Sequence, residues 1–220
     1  MKKVLIVVLA FVAHTTFAQV TKNLGDFNDV KVFDKLNVKL IASSENKIVI
    51  KGDREDEVVN KNGELKIRMP FQKLLSGDAI SIKLYFKDID GITATEGSYV
   101  SSEDSFTDTI LDLNAKEGAE INLDLDVQKV NAKAVSGGKI ELSGKAINQD
   151  VVIMSGGVLN SKELHTSQTT INVSAGGKAE IYATTLVDAK VKAGGSVYIY
   201  GRPKQINKET LLGGKIIEKE

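Results

Sequence analysis

The chain has 220 residues, and its 29 Lys plus Arg balance 29 Asp plus Glu, so its formal net charge is zero. Nucleic-acid binders concentrate basic charge, and this sequence has no basic excess to offer a phosphate backbone. Cysteine and Trp are absent and Gly is frequent at 19, which excludes a disulfide framework and suits a repetitive β structure with many tight turns better than a large globular enzyme.

The N-terminus reads as a targeting segment. Lys2 and Lys3 form a basic start, Val4 to Val12 is an apolar run of nine residues, and Thr16-Phe17-Ala18 ends in a small-x-small pattern. This predicts a secretory signal peptide over residues 1–18, cleaved near Ala18–Gln19. A transmembrane anchor would need about 20 apolar residues. A lipoprotein anchor would need a Cys after the signal. The expected product is an exported protein without covalent lipid or membrane span, placed in the periplasm, on the outer surface or outside the cell.

Residues 19–96 are strand-rich but uneven. Leu36 to Leu40, Lys47 to Lys51, Leu65 to Met69 and Ile80 to Leu84 each alternate apolar with polar residues, the signature of half-buried strands. Asn62-Gly63 carries a hairpin-turn signature. Asp53 to Glu57 reads as a charged loop, and Pro70 to Asp78 as a longer interruption with a helical turn. These residues are expected to form irregular coils that cap one end of a stack, because an open end exposes unpaired strand edges.

From residue 97 to 217 the sequence repeats. Small turns begin at Gly97, Gly118, Gly137, Gly156, Gly176, Gly194 and Gly213, and from Gly137 onward each first Gly is followed by a second. The period is about 19 residues, within the range of solenoid repeats. Ile121, Ile140, Leu159, Ala179, Val197 and Ile216 share one offset from the turn, and Asn122, Glu141, Asn160 and Glu180 share the next. An offset that stays apolar through successive repeats buries by stacking a face that one repeat cannot bury alone. Glycine at the turns meets positive φ or close backbone approach. The expected fold is all-β: parallel coils of about 19 residues with the six apolar residues in one inward column.

Several segments together resemble a known family. They are Phe27-Asn28-Asp29-Val30, Ile48 to Asp53, Asn62 to Ile67, the turns Val135 to Gly138, Met154 to Gly157 and Ala193 to Gly195, and the closing Val197 to Pro203. Their order and spacing are similar to the auto-transporter adhesin head-GIN domain, a domain of unknown function common in Bacteroidetes. The resemblance covers nearly all of the mature chain. It implies a right-handed parallel β-helix at the cell envelope, and it brings no catalytic residues.

Little in the sequence points to catalysis. His165 is the one histidine beyond the signal and reads as a surface-loop residue between two strands. Asp112, Asp124 and Asp126 fall at outward positions. They read as a solvated face, with a weak calcium site near Asp124 as the alternative. Arg54, Arg68 and Arg202 are scattered. The reading therefore assigns no catalytic residue, metal or cofactor. Tyr182 and Tyr200 share an offset in neighbouring coils, and Tyr198 lies two residues before Tyr200, so the three are expected on one outward face. Tyr joins an apolar ring to a polar tip, which suits a contact with glycan or protein. Cross-strand packing that stiffens the sheet is the competing explanation. The functional expectation is a non-enzymatic, adhesin-like β-helical binding protein. The alternative is a polysaccharide-active enzyme, a lyase or glycosidase, on the same scaffold.

Overall fold

The computed structural model describes residues 19–51, 57–69 and 81–220. The expected signal peptide at 1–18, Arg54, most of the charged loop before Glu57 and the interruption at 70–78 lie outside the described residues. Among the described residues the chain is all β, with no helix.

Strands β8 (Gly91–Ala94), β9 (Tyr99–Ser102), β10 (Ile110–Lys116), β11 (Glu120–Val135), β12 (Lys139–Met154), β13 (Val158–Ser174), β14 (Lys178–Lys192), β15 (Ser196–Tyr200), β16 (Gln205–Leu211) and β17 (Lys215–Glu218) wind into a β-solenoid. It has about 7 turns at ~19-residue spacing between residues 91 and 218. The pairings of these strands with one another are parallel. Each coil contributes to two walls. The first wall takes the residues after a Gly turn, where Glu120 pairs with Lys139, and the second takes those leading to the next turn, where Lys129 pairs with Asn148.

The expected inward column is present. Ile121, Ile140, Leu159, Ala179, Val197 and Ile216 are register partners in unbroken succession on the first wall. All but Ile216 are buried. The matching column of the second wall runs Ile92, Leu113, Ala132, Val151, Ile171 and Ala189, and these too are buried. A polar layer interrupts the apolar lumen: Ser161 Oγ donates to Gln149 Oε1 at 3.3 Å, and the Thr166 and Thr169 hydroxyls lie 2.9 Å apart.

The glycine pairs answer two separate demands. Ser155 (φ 50°) and Gly156 (φ 74°) are both left-handed. The Gly156 N–H donates to the Ala175 carbonyl of the next turn at 3.1 Å, and the Gly137 N–H to Ser155 at 3.2 Å. This turn-to-turn ladder holds the non-glycine left-handed residues in a conformation they would otherwise leave. Gly157 has no positive φ, but a Cβ there would lie 2.2 Å from the Ala134 carbonyl oxygen of the coil below.

The N-terminal end departs from coil order. β2 (Asp29–Val32) pairs in parallel with β8 on one side and with β6 (Glu64–Arg68) on the other. β3 (Asn37–Ala42) is likewise held between β9 and β7 (Ser81–Phe86). The β6–β7 coil therefore lies outside the β2–β3 coil, and the chain passes back over it to reach β8. Antiparallel strands finish this end. β4 (Lys47–Lys51) pairs with β7, β1 (Gln19–Asn23) pairs with β4, and β5 (Glu57–Lys61) forms a hairpin with β6. Asn62 (φ 55°) and Gly63 (φ 82°) make the hairpin turn, both in the left-handed region that a two-residue turn needs. Glu57 is thus the first residue of a strand rather than the last of a loop.

The C-terminal end closes differently. Lys208 continues the inward column above Ala189, and Glu218 stands above Ile199. The Lys208 ammonium meets the Glu218 carboxylate at 2.5 Å. An ion pair thus lies where the coils below place apolar side chains.

Candidate functional site

Tyr182 and Tyr200 are register partners on adjacent coils, and Tyr198 is the partner of Glu180 one outward column away. All three are half-buried. Their surroundings differ. The Tyr182 ring lies 4.2 Å from the His165 ring, tilted by 59°. Its other neighbour is Gly201, whose absent Cβ would be 2.8 Å from Tyr182 Cε1. Tyr182 is therefore fitted into its place. Tyr198 lies between two ammonium groups, Lys178 Nζ at 5.4 Å and Lys219 Nζ at 5.3 Å from the ring centre, within the range of cation–π attraction. Lys178 also pairs with Glu180 at 2.7 Å. That hydrogen bond holds the Lys178 ammonium above the usual lysine range, against the opposing effect of burial. The last strand, β17, adds a further coil beside β15, with Ile217 as the partner of Tyr198. The arrangement combines aromatic rings with fixed cations.

His165 belongs to β13, not to a loop between strands. It pairs with Lys145 on one side and Tyr182 on the other, at a point where the β13–β14 register shifts. Lys162 to Leu164 have no partners on β14, although Glu163 and Leu164 pair with Ser143 and Gly144 on β12, so the strand continues through a register shift that the period does not announce. The outward aspartates also have local partners. Ser143 Oγ donates to Asp124 Oδ2 at 2.8 Å, and Lys145 pairs with Asp126 at 3.0 Å. Arg68 stacks 3.9 Å over the Phe33 ring, and Arg202 sits in the bend before β16.

The second wall carries a feature the sequence reading did not assemble. A groove of about 390 Å³ crosses the outer surface there, lined by Asp29, Gly91, Asp112, Asn131 and Asp150 along one column and by Thr93, Asn114, Lys133 and Val152 along the next. Asn131 Nδ2 donates to Asp112 Oδ1 at 2.6 Å, and Lys129 pairs with Asp150 at 2.6 Å. The 19-residue spacing of Asp112, Asn131 and Asp150 was the available signal. Asp29 and Gly91 precede the regular repeats, and only the pairing of β2 with β8 and of β8 with β10 brings them into line.

Solved structures share this architecture. A "putative adhesin" from Bacteroides fragilis superposes with a TM-score of 0.81 at 20% identity, covering 94% of this chain and 98% of the other. A "putative adhesin" from Parabacteroides distasonis gives 0.76 at 19% identity, covering 92% and 96%. A "putative lipid binding protein" from the same species gives 0.67 at 15%, with the same coverage. At these identities the likeness is one of fold. No curated protein matches the chain. A family described as "Putative auto-transporter adhesin, head GIN domain" matches residues 26–203. That span takes in the antiparallel cap strands β4 and β5, the out-of-order coil and the stack as far as β15, and the chain belongs to this family.

Proposed function

We propose that the protein is an exported, non-enzymatic binding protein of the cell envelope that presents its first wall to a surface glycan or protein. The observation that carries this reading is the tyrosine register: rings at positions 182 and 200 rise from adjacent coils, with Tyr198 and its two lysines alongside. Aromatic faces take up the apolar side of a sugar ring or a partner's side chain, and nearby ammonium groups bind its polar edge. A rigid stack loses little entropy on binding, because the contact groups are already ordered. The N-terminal segment supports export, and the family's name is consistent with a surface role.

Tyr182 is packed between His165 and Gly201, so Tyr198 and Tyr200 make the cleaner test. In a glycan array and a cell-surface binding assay with residues 19–220, the Tyr198→Ala/Tyr200→Ala variant should lose binding. Its melting temperature should stay near that of the parent chain. Retention of full binding by this variant would remove the tyrosine face from the function. The competing reading is polysaccharide cleavage. Release of reducing ends, or of unsaturated products, from the bound glycan would establish that instead.

A further inference from the structure

The groove on the second wall does not depend on the tyrosines. Its outer column has a regular alternation. In stacking order the register partners are Glu64, Asp29, Gly91, Asp112, Asn131, Asp150, Thr170, Asp188 and Asn207. From Asp29 onward carboxylates occupy every second coil, with glycine or neutral hydrogen-bonding side chains between them, whereas Glu64 and Asp29 stand on adjacent coils. Strands stack at about 4.8 Å, so the backbone positions of these acids recur at about 9.6 Å, although the Asp29 carboxylate itself leans over Gly91, toward Asp112. At Gly91 the wall is cut back: the Asp29 carboxylate lies across its α-carbon, where a Cβ would come within 2.2 Å of Oδ1. Asn114 Oδ1, also on the lining, is out of reach of solvent and has no hydrogen-bond partner.

We infer that this groove is a binding site for an extended, β-linked neutral glycan lying along the solenoid axis, across the strands. A pyranose ring in such a chain advances by slightly more than one coil, and a disaccharide by slightly more than two. Hydroxyls facing the wall would therefore meet Asp112 and Asp150 as acceptors two rings apart, with the Asp29 carboxylate, over Gly91, one ring beyond Asp112. Asn131 and Lys133 supply donors between and beside them. Asp112 and Asp150 are already oriented by Asn131 and Lys129, so the acceptors are ordered before the ligand arrives. The groove volume of about 390 Å³ falls within the range of small-ligand sites. Other occupants fit less well. An extended peptide repeats its side chains on one face at about 6.8 Å, out of step with the coils. Asp112 and Asp150, two coils apart, are too widely spaced to share one calcium ion, whose oxygen ligands lie at about 2.3–2.6 Å. The described residues contain no group of three His, Cys, Asp or Glu arranged for a metal.

Calorimetric titration of residues 19–220 with β-1,4-linked gluco-, manno-, xylo- and N-acetylglucosamine oligosaccharides of two, four and six rings tests the inference. At least one series should bind, with affinity rising with ring number. The Asp29→Ala and Asp112→Ala variants should each weaken it by about tenfold, the loss expected for one charge-assisted hydrogen bond. Both positions are on the outer surface, and circular dichroism should show unchanged folding. The Tyr198→Ala/Tyr200→Ala variant should bind as the parent does. Absence of binding by every series, affinity independent of ring number, or full affinity in both Asp variants would overturn the inference. Loss of binding in the tyrosine variant alone would move the glycan to the first wall. A rise in melting temperature with calcium that either Asp variant abolishes would make the column a cation site.

Discussion

Gly156 and Gly157 are adjacent in the chain, yet the same substitution should affect them differently. Gly156 needs a left-handed backbone and has nothing within 4 Å of where a Cβ would stand. Asn adopts that conformation at little cost, whereas a β-branched residue does not. Gly156→Asn should therefore leave the denaturation midpoint almost unchanged, while Gly156→Val should lower stability by more than about 1 kcal/mol. At Gly157 the obstacle is the Ala134 carbonyl, which is backbone and cannot turn aside. Gly157→Asn should cost about 1–3 kcal/mol through overpacking. Urea denaturation of the three variants checks the contrast, and equal losses for the two Asn variants would contradict it. The pairing of glycines was plain in the sequence. Their division of labour was not, because one demand is local and the other comes from a coil 19 residues earlier.

Neighbouring coils also meet at their turns, and one such meeting sets two acids together. Asp34 and Glu96 are both left-handed turn residues, at φ 58° and 55°, in coils joined by the Lys35 N–H to Glu96 carbonyl bond at 3.0 Å. A side-chain hydrogen bond with Asp34, reinforced by burial and like charge, pushes the Glu96 carboxyl above the ordinary glutamate range. Glu96 thus holds its proton more tightly folded than unfolded. Its stabilising contribution is complete below the unfolded value and fades as pH rises through the folded one. Glu96→Gln should raise the melting temperature at neutral pH, and the gain should vanish below about pH 4. Thermal melts across that range decide it, and an unchanged or lower melting temperature at neutral pH would refute the pairing. The same coil-to-coil view explains what could be read in advance. From β11 onward most contacts join residues about 19 apart, so columns such as Ile121, Ile140 and Leu159 announce themselves, as did the shared offset of Tyr182 and Tyr200. The cap strands β4 and β5 follow no period. Their partners are set by antiparallel pairings and by a coil out of order, and alternation alone says nothing about either. Asp29 was hidden as a groove residue for the same reason.

At the scale of the whole molecule the two ends are protected by different means. The N-terminal end uses antiparallel strands, and the C-terminal end sets Lys208 and Glu218 over the lumen. Inward-pointing charge is a known way to keep a strand edge from pairing with another chain. Lys208→Leu/Glu218→Leu should therefore expose an apolar coil end, and sedimentation velocity should show self-association that rises with concentration beyond that of the parent chain. Identical sedimentation of the two proteins would show that the ion pair does not guard this end. The opposite end has a consequence for synthesis. In the regular stack each new coil can dock on the one made before it, so order of emergence and order in space agree. For β2 and β3 they disagree. These strands leave the ribosome before either flanking coil exists, and they remain bare on one side until residues 91–102 arrive. β6 and β7, made earlier, can by then pair with the far side. A chain arrested before Gly91 therefore leaves one edge of the β2–β3 coil unpaired. The coil nearest the N-terminus is completed by strands made two coils later in the chain.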